Sequence, residues 1–155
     1  MIYADSDVGA MHAALELARQ SLLASEEDVP VGALVLGPAG DVLASSANRR
    51  EALTDPTAHA EVVVLREAAL ALGDTHLTGC TLVVTLEPCP MCAGAAQLAR
   101  VGRVVFGAWN EEYGAAGSAW DLLRDRRLSH RPEVVSGVLA DECGALVREF
   151  FARRR

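Results

Sequence analysis

The chain has 155 residues, 51% of them hydrophobic and 23% charged, the balance of one globular domain over 1–155 with a single sizeable core rather than of a disordered or fibrous chain. No apolar run reaches the ~20 residues of a membrane helix, since Val62–Leu72 is broken by Arg66 and Glu67. The net charge of −7 speaks against a general nucleic-acid binder, but residues 1–99 hold 4 basic and 13 acidic side chains, and residues 100–155 hold 10 and 8.

Met1–Asp7 has no basic stretch followed by an apolar one, so the expectation is no secretory signal and a cytoplasmic, reducing compartment. Apolar residues at Met11, Ala14, Leu15, Ala18 and Leu22 recur at helical spacing and predict a helix over Asp7–Ser25. Val31–Leu36 and Val42–Ala44 flank the turn-rich Gly37–Asp41 and read as a β-hairpin. A second helix is predicted over Ala58–Leu72, ended by Gly73. Thr81–Leu86 as strand, Met91–Arg100 as helix and Arg103–Gly107 as strand have the lengths of a parallel βαβ unit. A short helix near Ala119–Arg124, a strand at Val134–Leu139 and a last helix over Asp141–Ala152 complete an α/β protein with helices on both faces of a mixed sheet.

The basic residues are all arginine, and six of the seven aromatics (Phe106, Trp109, Tyr113, Trp120, Phe150, Phe151) follow residue 100. Arginine and aromatics together suit single-stranded nucleic acid. Of the four cysteines, Cys80 and Cys143 lie in apolar surroundings and read as buried structural thiols.

Chemistry concentrates in His59-Ala60-Glu61 and, 26 residues further on, Pro88-Cys89-Pro90-Met91-Cys92, each opening a predicted helix. One imidazole and two thiols suit tetrahedral zinc with a fourth position open for water, the arrangement of a catalytic site. Cys89 and Cys92 are one helical turn apart, and both helix N-termini favour thiolate over thiol. Glu61, two residues from His59, is placed as a proton carrier rather than a fourth ligand. Taken singly, a helical histidine or a lone CxxC has ordinary structural readings; the combination is what points to function.

These motifs resemble those of the zinc-dependent nucleobase deaminases. Val29–Ala33, Asn48, Asp55–Glu61, Thr85–Ala95, Arg103–Ala108, Gly114–Ser118 and the tail from His130 to Phe151 are similar to the bacterial tRNA-specific adenosine deaminases. The resemblance implies a three-layer α/β/α, cytidine deaminase-like fold around a central mixed five-stranded sheet, and a homodimer with one Zn²⁺ per subunit. It also implies hydrolytic deamination of the wobble adenosine of a tRNA anticodon stem-loop to inosine. In that reading zinc-bound hydroxide attacks carbon 6 of the extruded adenine, His59, Cys89 and Cys92 hold the metal, and Glu61 shuttles the protons. Asn48 would contact the base, with a strand-end turn residue as its structural alternative. Pro30, Val31 and Leu86 would wall the base pocket, unless they are plain core. Phe150, Phe151, Arg153 and Arg154 are possible RNA contacts; a tail helix whose apolar residues pack and whose arginines complement its dipole is the structural alternative, and the two uses are compatible.

Asn110-Glu111-Glu112-Tyr113 departs from the family, which carries an aspartate associated with the target ribose at the first of these positions. Asn110 is neutral, and Glu111 and Glu112 repel phosphate. A deaminase of guanine or another free nucleobase is therefore the nearest rival enzyme. From a different class comes a non-catalytic, zinc-stabilised RNA-binding or dimer-partner module, against which Glu61 argues.

Overall fold

A computed structural model describes residues 4–155; Met1, Ile2 and Tyr3, on which part of the leader reading rests, lie outside the described residues. Helix α1 (Asp5–Ala24) precedes a hairpin of β1 (Gly32–Leu36) and β2 (Val42–Ala47), and α2 (Ala60–Leu72) follows. Then come β3 (Thr81–Leu86), α3 (Pro90–Leu98) and β4 (Arg103–Ala108). A 3-10 turn (Leu122–Arg124), the short β5 (Glu133–Val135) and α4 (Ala140–Ala152) close the chain.

The strands form one mixed five-stranded sheet in the order β2-β1-β3-β4-β5. Strand β1 is antiparallel to both β2 and β3, whereas β4 runs parallel to β3 and to β5. The apolar runs are continuous because both faces are covered. Ala33, Val35, Leu82, Val84, Val104 and Phe106 join the core beneath α2 and α3. Their neighbours Leu34, Val83 and Val105 point the other way and pack with Met11, Leu15, Leu146 and Phe150 of α1 and α4. The period-2 alternation thus builds two cores on one sheet, the three layers expected from the resemblance. Helix α1 approaches so closely that a Cβ at Gly32 would lie 2.0 Å from the Ala14 carbonyl oxygen, so only glycine fits there.

Three expectations change. The predicted Val134–Leu139 strand ends at Val135, because Gly137 (φ 79°) and Leu139 (φ 52°) adopt left-handed backbone and turn the chain toward α4. The helix predicted near Ala119–Arg124 contracts to Leu122–Arg124, since Ala116 bridges Asp121 and holds the preceding residues in a loop. Helix α2 starts at Ala60, with His59 as its extended N-cap. Cys80 and Cys143 are buried, as expected of structural thiols.

One end of the sheet gathers the sequence motifs. Because β1 is antiparallel to its neighbours, its start lies beside the carboxyl ends of β2, β3 and β4. Val31 precedes β1, Asn48 follows β2, Glu87–Cys89 follow β3, and Trp109 and Asn110 follow β4. Carboxyl ends of strands are where open α/β sheets place their ligands.

Candidate metal centre and base-sized cleft

His59 and Cys89 cap α2 and α3 in extended conformation, and Pro90 takes the first helical position of α3, where no amide partner is needed. The two helix starts bring the His59 ring nitrogen Nδ1 to 3.6 Å from Cys89 Sγ and 3.5 Å from Cys92 Sγ. Tetrahedral zinc with bonds of about 2.0–2.1 Å to nitrogen and about 2.3 Å to sulfur sets nitrogen and sulfur about 3.6 Å apart. The donor set therefore fits zinc in both chemistry and spacing, and it is the one three-residue cluster of this kind among the described residues. Among the described residues no fourth such side chain joins it, the ligand count of a catalytic rather than a structural zinc site.

Hydrogen bonding from Cys92, and next from His59, pulls the Cys89 thiol down to about 4. The same contact with Cys89, together with burial, pushes the Cys92 thiol upward. The Cys89 hydrogen bond raises His59. Glu61 stands in the first turn of α2, only 5% exposed, and burial pushes its carboxyl up to about 7. A carboxyl balanced near neutrality both accepts and gives up a proton.

His59, Glu61 and Cys89 line a cleft of about 370 Å³, a volume suited to a small planar ligand. Of the residues expected around the substrate, the wall residues Val31 and Leu86 and the polar Asn48 and Asn110 line it. Pro30 does not: it is buried, and its neighbours Val29 and Val31 form that wall instead. Asn48 donates through Nδ2 to the Val29 carbonyl (3.2 Å) and accepts through Oδ1 from the Arg50 amide (3.2 Å). One amide proton and one lone pair remain unengaged, so the turn role does not use up the side chain.

The tail divides. Phe151 is 49% exposed and lines the cleft, whereas Phe150 is 2% exposed and belongs to the core beneath α1 and α4. Phe150 is thereby corrected from RNA contact to core residue: its ring faces the sheet. Arg153 and Arg154 lie outside the cleft, beside Leu22, Glu26 and Glu27. Arg153 pairs with Glu149, and Arg154 covers the Phe150 ring at 4.3 Å and donates to the Glu26 carbonyl. Arg154 thus ties the tail helix to the segment after α1, while Arg153 pairs within its own helix. Sequence reading missed Trp109, Tyr113, Arg50 and Glu87 as cleft residues; for the two aromatics, their clustering after residue 100 was the available signal.

The family model for the cytidine and deoxycytidylate deaminase zinc-binding region matches residues 4–108. The chain belongs to this family. It is 50% identical over 128 residues to the tRNA-specific adenosine deaminase of Bacillus subtilis strain 168, a match covering 83% of this chain and 79% of that protein. It is 51% identical over 146 residues to the tRNA(Ile)-lysidine synthase of Deinococcus deserti, covering 94% of this chain. The chain spans about a quarter of that protein's length, 27%. Among solved structures, one from studies of A-to-I editing by tRNA:A34 deaminases at the wobble position of transfer RNA superposes with a TM-score of 0.83 at 40% identity, covering 89% of this chain and 98% of that one. A guanine deaminase from Nitrosomonas europaea superposes with a TM-score of 0.80 at 27% identity, covering 98% and 87%. Among the described residues no helix is long and apolar enough to cross a membrane.

Proposed function

We propose that this chain hydrolyses the wobble adenosine of a tRNA anticodon loop to inosine. The observation that carries the proposal is the buried Glu61 beside the His59–Cys89–Cys92 triangle, at a cleft of nucleobase size, in a chain half identical to a tRNA-specific adenosine deaminase. His59, Cys89 and Cys92 would hold zinc, which would lower the pKa of a water in the cleft. Glu61 takes a proton from the attacking water as its oxygen bonds to carbon 6, and delivers that proton to ring nitrogen 1 of the adenine. It then passes the second proton to the departing amino group, so that water and adenosine become inosine and ammonia. Val31 and Leu86 exclude solvent on either side of the base, and Asn48 offers its remaining donor and acceptor to the purine edge. Assembly as a homodimer is part of the same proposal, and light scattering in solution tests it.

A second reading, deamination of free guanine, is favoured by the acidic Glu111 and Glu112 on the cleft wall and by the likeness to guanine deaminase. The discriminating experiment supplies zinc-loaded protein with an anticodon stem-loop bearing a wobble adenosine and, separately, with guanine, adenosine and cytidine, and measures inosine and ammonia. Inosine in the stem-loop alone is the expected result; guanine turnover with an untouched stem-loop refutes it. Glu61→Gln is expected to keep its zinc and lose about 10²- to 10⁴-fold in turnover. Zinc retained with undiminished turnover removes Glu61 from the mechanism.

A further inference from the structure

Strand β3 ends at Leu86, and the next residue, Glu87, is a carboxylate only 1% exposed. Its Oε1 accepts from the amides of Ala116 and Ser118, both at 3.0 Å. Its Oε2 accepts from the Asn110 amide at 2.9 Å, and the Ser118 hydroxyl lies 2.6 Å from the same oxygen. One side chain thus closes the loop 110–118 on itself and fastens it to the segment that enters Cys89. Two backbone bonds reinforce the junction: Glu87 donates to the Ala108 carbonyl (2.8 Å) and Ala115 to that of Pro88 (2.7 Å).

The loop is built around this carboxylate. A Cβ at Gly114 would lie 2.1 Å from Glu87 Oε2, so the main chain wraps the carboxylate where only glycine fits. Asn110, Glu111, Glu112 and Tyr113 of the same loop line the cleft, and Gly117 lies against the ring of Trp109. Trp109, 45% exposed on the cleft wall, is also braced edge-on by the buried Phe106 at 5.0 Å. Both oxygens of Glu87 face donors from the loop, which leaves it no part in proton transfer.

We infer that Glu87 is a positioning residue: it sets loop 110–118 and Trp109 as the rim of the cleft and thereby fixes how tightly a nucleotide substrate is held. The substrate half of this inference rests on the function proposed above; the loop half does not. Glutamine has nearly the same shape but one acceptor oxygen, and its amide group would meet N–H donors from the loop. Glu87→Gln therefore loosens the rim without removing a ligand of the metal.

The test uses zinc-loaded protein carrying Trp120→Phe, in which Trp109 is the remaining tryptophan. Adding Glu87→Gln is expected to raise acrylamide quenching of Trp109 about twofold, as the half-exposed ring becomes fully accessible. Zinc content is expected to stay unchanged. On the stem-loop, KM is expected to rise about tenfold, because a loosened rim must be ordered again on binding, while kcat changes little. Ser118→Ala, which removes the hydroxyl beside Glu87 and leaves the carboxylate in place, moves both readouts in the same direction by less, and decides the matter alone if Glu87→Gln does not fold. Unchanged quenching overturns the inference, as does loss of zinc or a fall in kcat at constant KM. Raised quenching in variants of a protein that never turns over the stem-loop upholds the loop assignment and refutes the proposed substrate.

Discussion

Arg103 at the start of β4 makes two ion pairs of unequal burial, and their energies are expected to differ accordingly. Its guanidinium grips Asp7 of α1 with two parallel bonds, NH1 to Oδ1 at 3.0 Å and NH2 to Oδ2 at 3.1 Å. Its Nε donates to Glu133 of β5 at 2.9 Å. The Asp7 side chain is 6% exposed, that of Arg103 32% and that of Glu133 64%. Removing one partner of a fully buried pair costs about 3–5 kcal/mol, and the partial exposure of Arg103 reduces this to about 2–3 kcal/mol. The Glu133 pair, open to water and salt, contributes at most about 1 kcal/mol. Asp7 also sits in the first turn of α1, where its charge favours the helix dipole, so single substitutions overstate the pair. Double-mutant cycles by urea unfolding, with Asp7→Ala, Glu133→Ala and Arg103→Ala, isolate the two couplings. The Asp7 coupling is expected to be two to three times larger and to survive about 0.5 M salt, which screens the exposed pair. Equal couplings, or an Asp7 coupling lost in salt, would refute this use of burial to rank the pairs. Zinc content and turnover are expected to stay unchanged, since neither pair reaches the cleft.

Two further outcomes concern the thiols. After zinc is chelated, iodoacetamide at pH 7 is expected to label Cys89 first, because that thiol is only partly buried and drawn down to about 4; zinc abolishes the labelling, and equal labelling with and without zinc removes Cys89 from the metal site. Cys143 is buried, and burial pushes its thiol up to about 12 from the usual 9.0. In the unfolded chain that thiol ionises above about pH 9, while in the fold it holds its proton to about pH 12. Its contribution to stability is therefore level below pH 9 and falls from pH 9 to 12, by up to about 1.4 kcal/mol per unit. Cys143→Ala is expected to flatten the alkaline decline in urea midpoint, and an unaltered slope contradicts the assignment.

What the sequence made legible is what local pattern encodes. The runs Leu82–Val84 and Val104–Phe106 are apolar on both faces because both are covered, and continuous apolarity is itself readable. The metal ligands were legible because each sits at a helix start, where cap chemistry and spacing coincide. Glu87 was not: its partners lie 23, 29 and 31 residues away, and only the returning loop gives the carboxylate its purpose. Phe150 and Phe151 are adjacent in α4, about 100° apart around the helix, and composition cannot say which faces the sheet. The end of β5 was misread because a β-rich run tolerates left-handed residues at Gly137 and Leu139 without announcing them.

Asn110 joins the loop geometry to the substrate. Its Oδ1 accepts from the Tyr113 amide at 3.2 Å, so the turn already engages the oxygen of the side chain. The Nδ2 group is the donor left for the cleft that Asn110 lines. The aspartate that the resemblance leads one to expect here would hold the same turn with one oxygen and present the other as an acceptor. A ribose 2′-hydroxyl donates to such an acceptor, whereas deoxyribose has nothing to offer it. Asn110→Asp is therefore expected to raise the ratio of turnover on an RNA stem-loop to turnover on its DNA counterpart, by about tenfold for one charge-assisted hydrogen bond. Glu111 and Glu112, whose charges would sit beside the new carboxylate on the cleft wall, weaken the binding of either phosphate backbone without changing the ratio. Repeating the ratio in Glu111→Gln/Glu112→Gln separates the two effects, since the acceptor acts on the ratio while the flanking charges act on both substrates alike. An RNA-to-DNA ratio equal in the native protein and in Asn110→Asp, in both backgrounds, would show that the ribose does not reach Asn110.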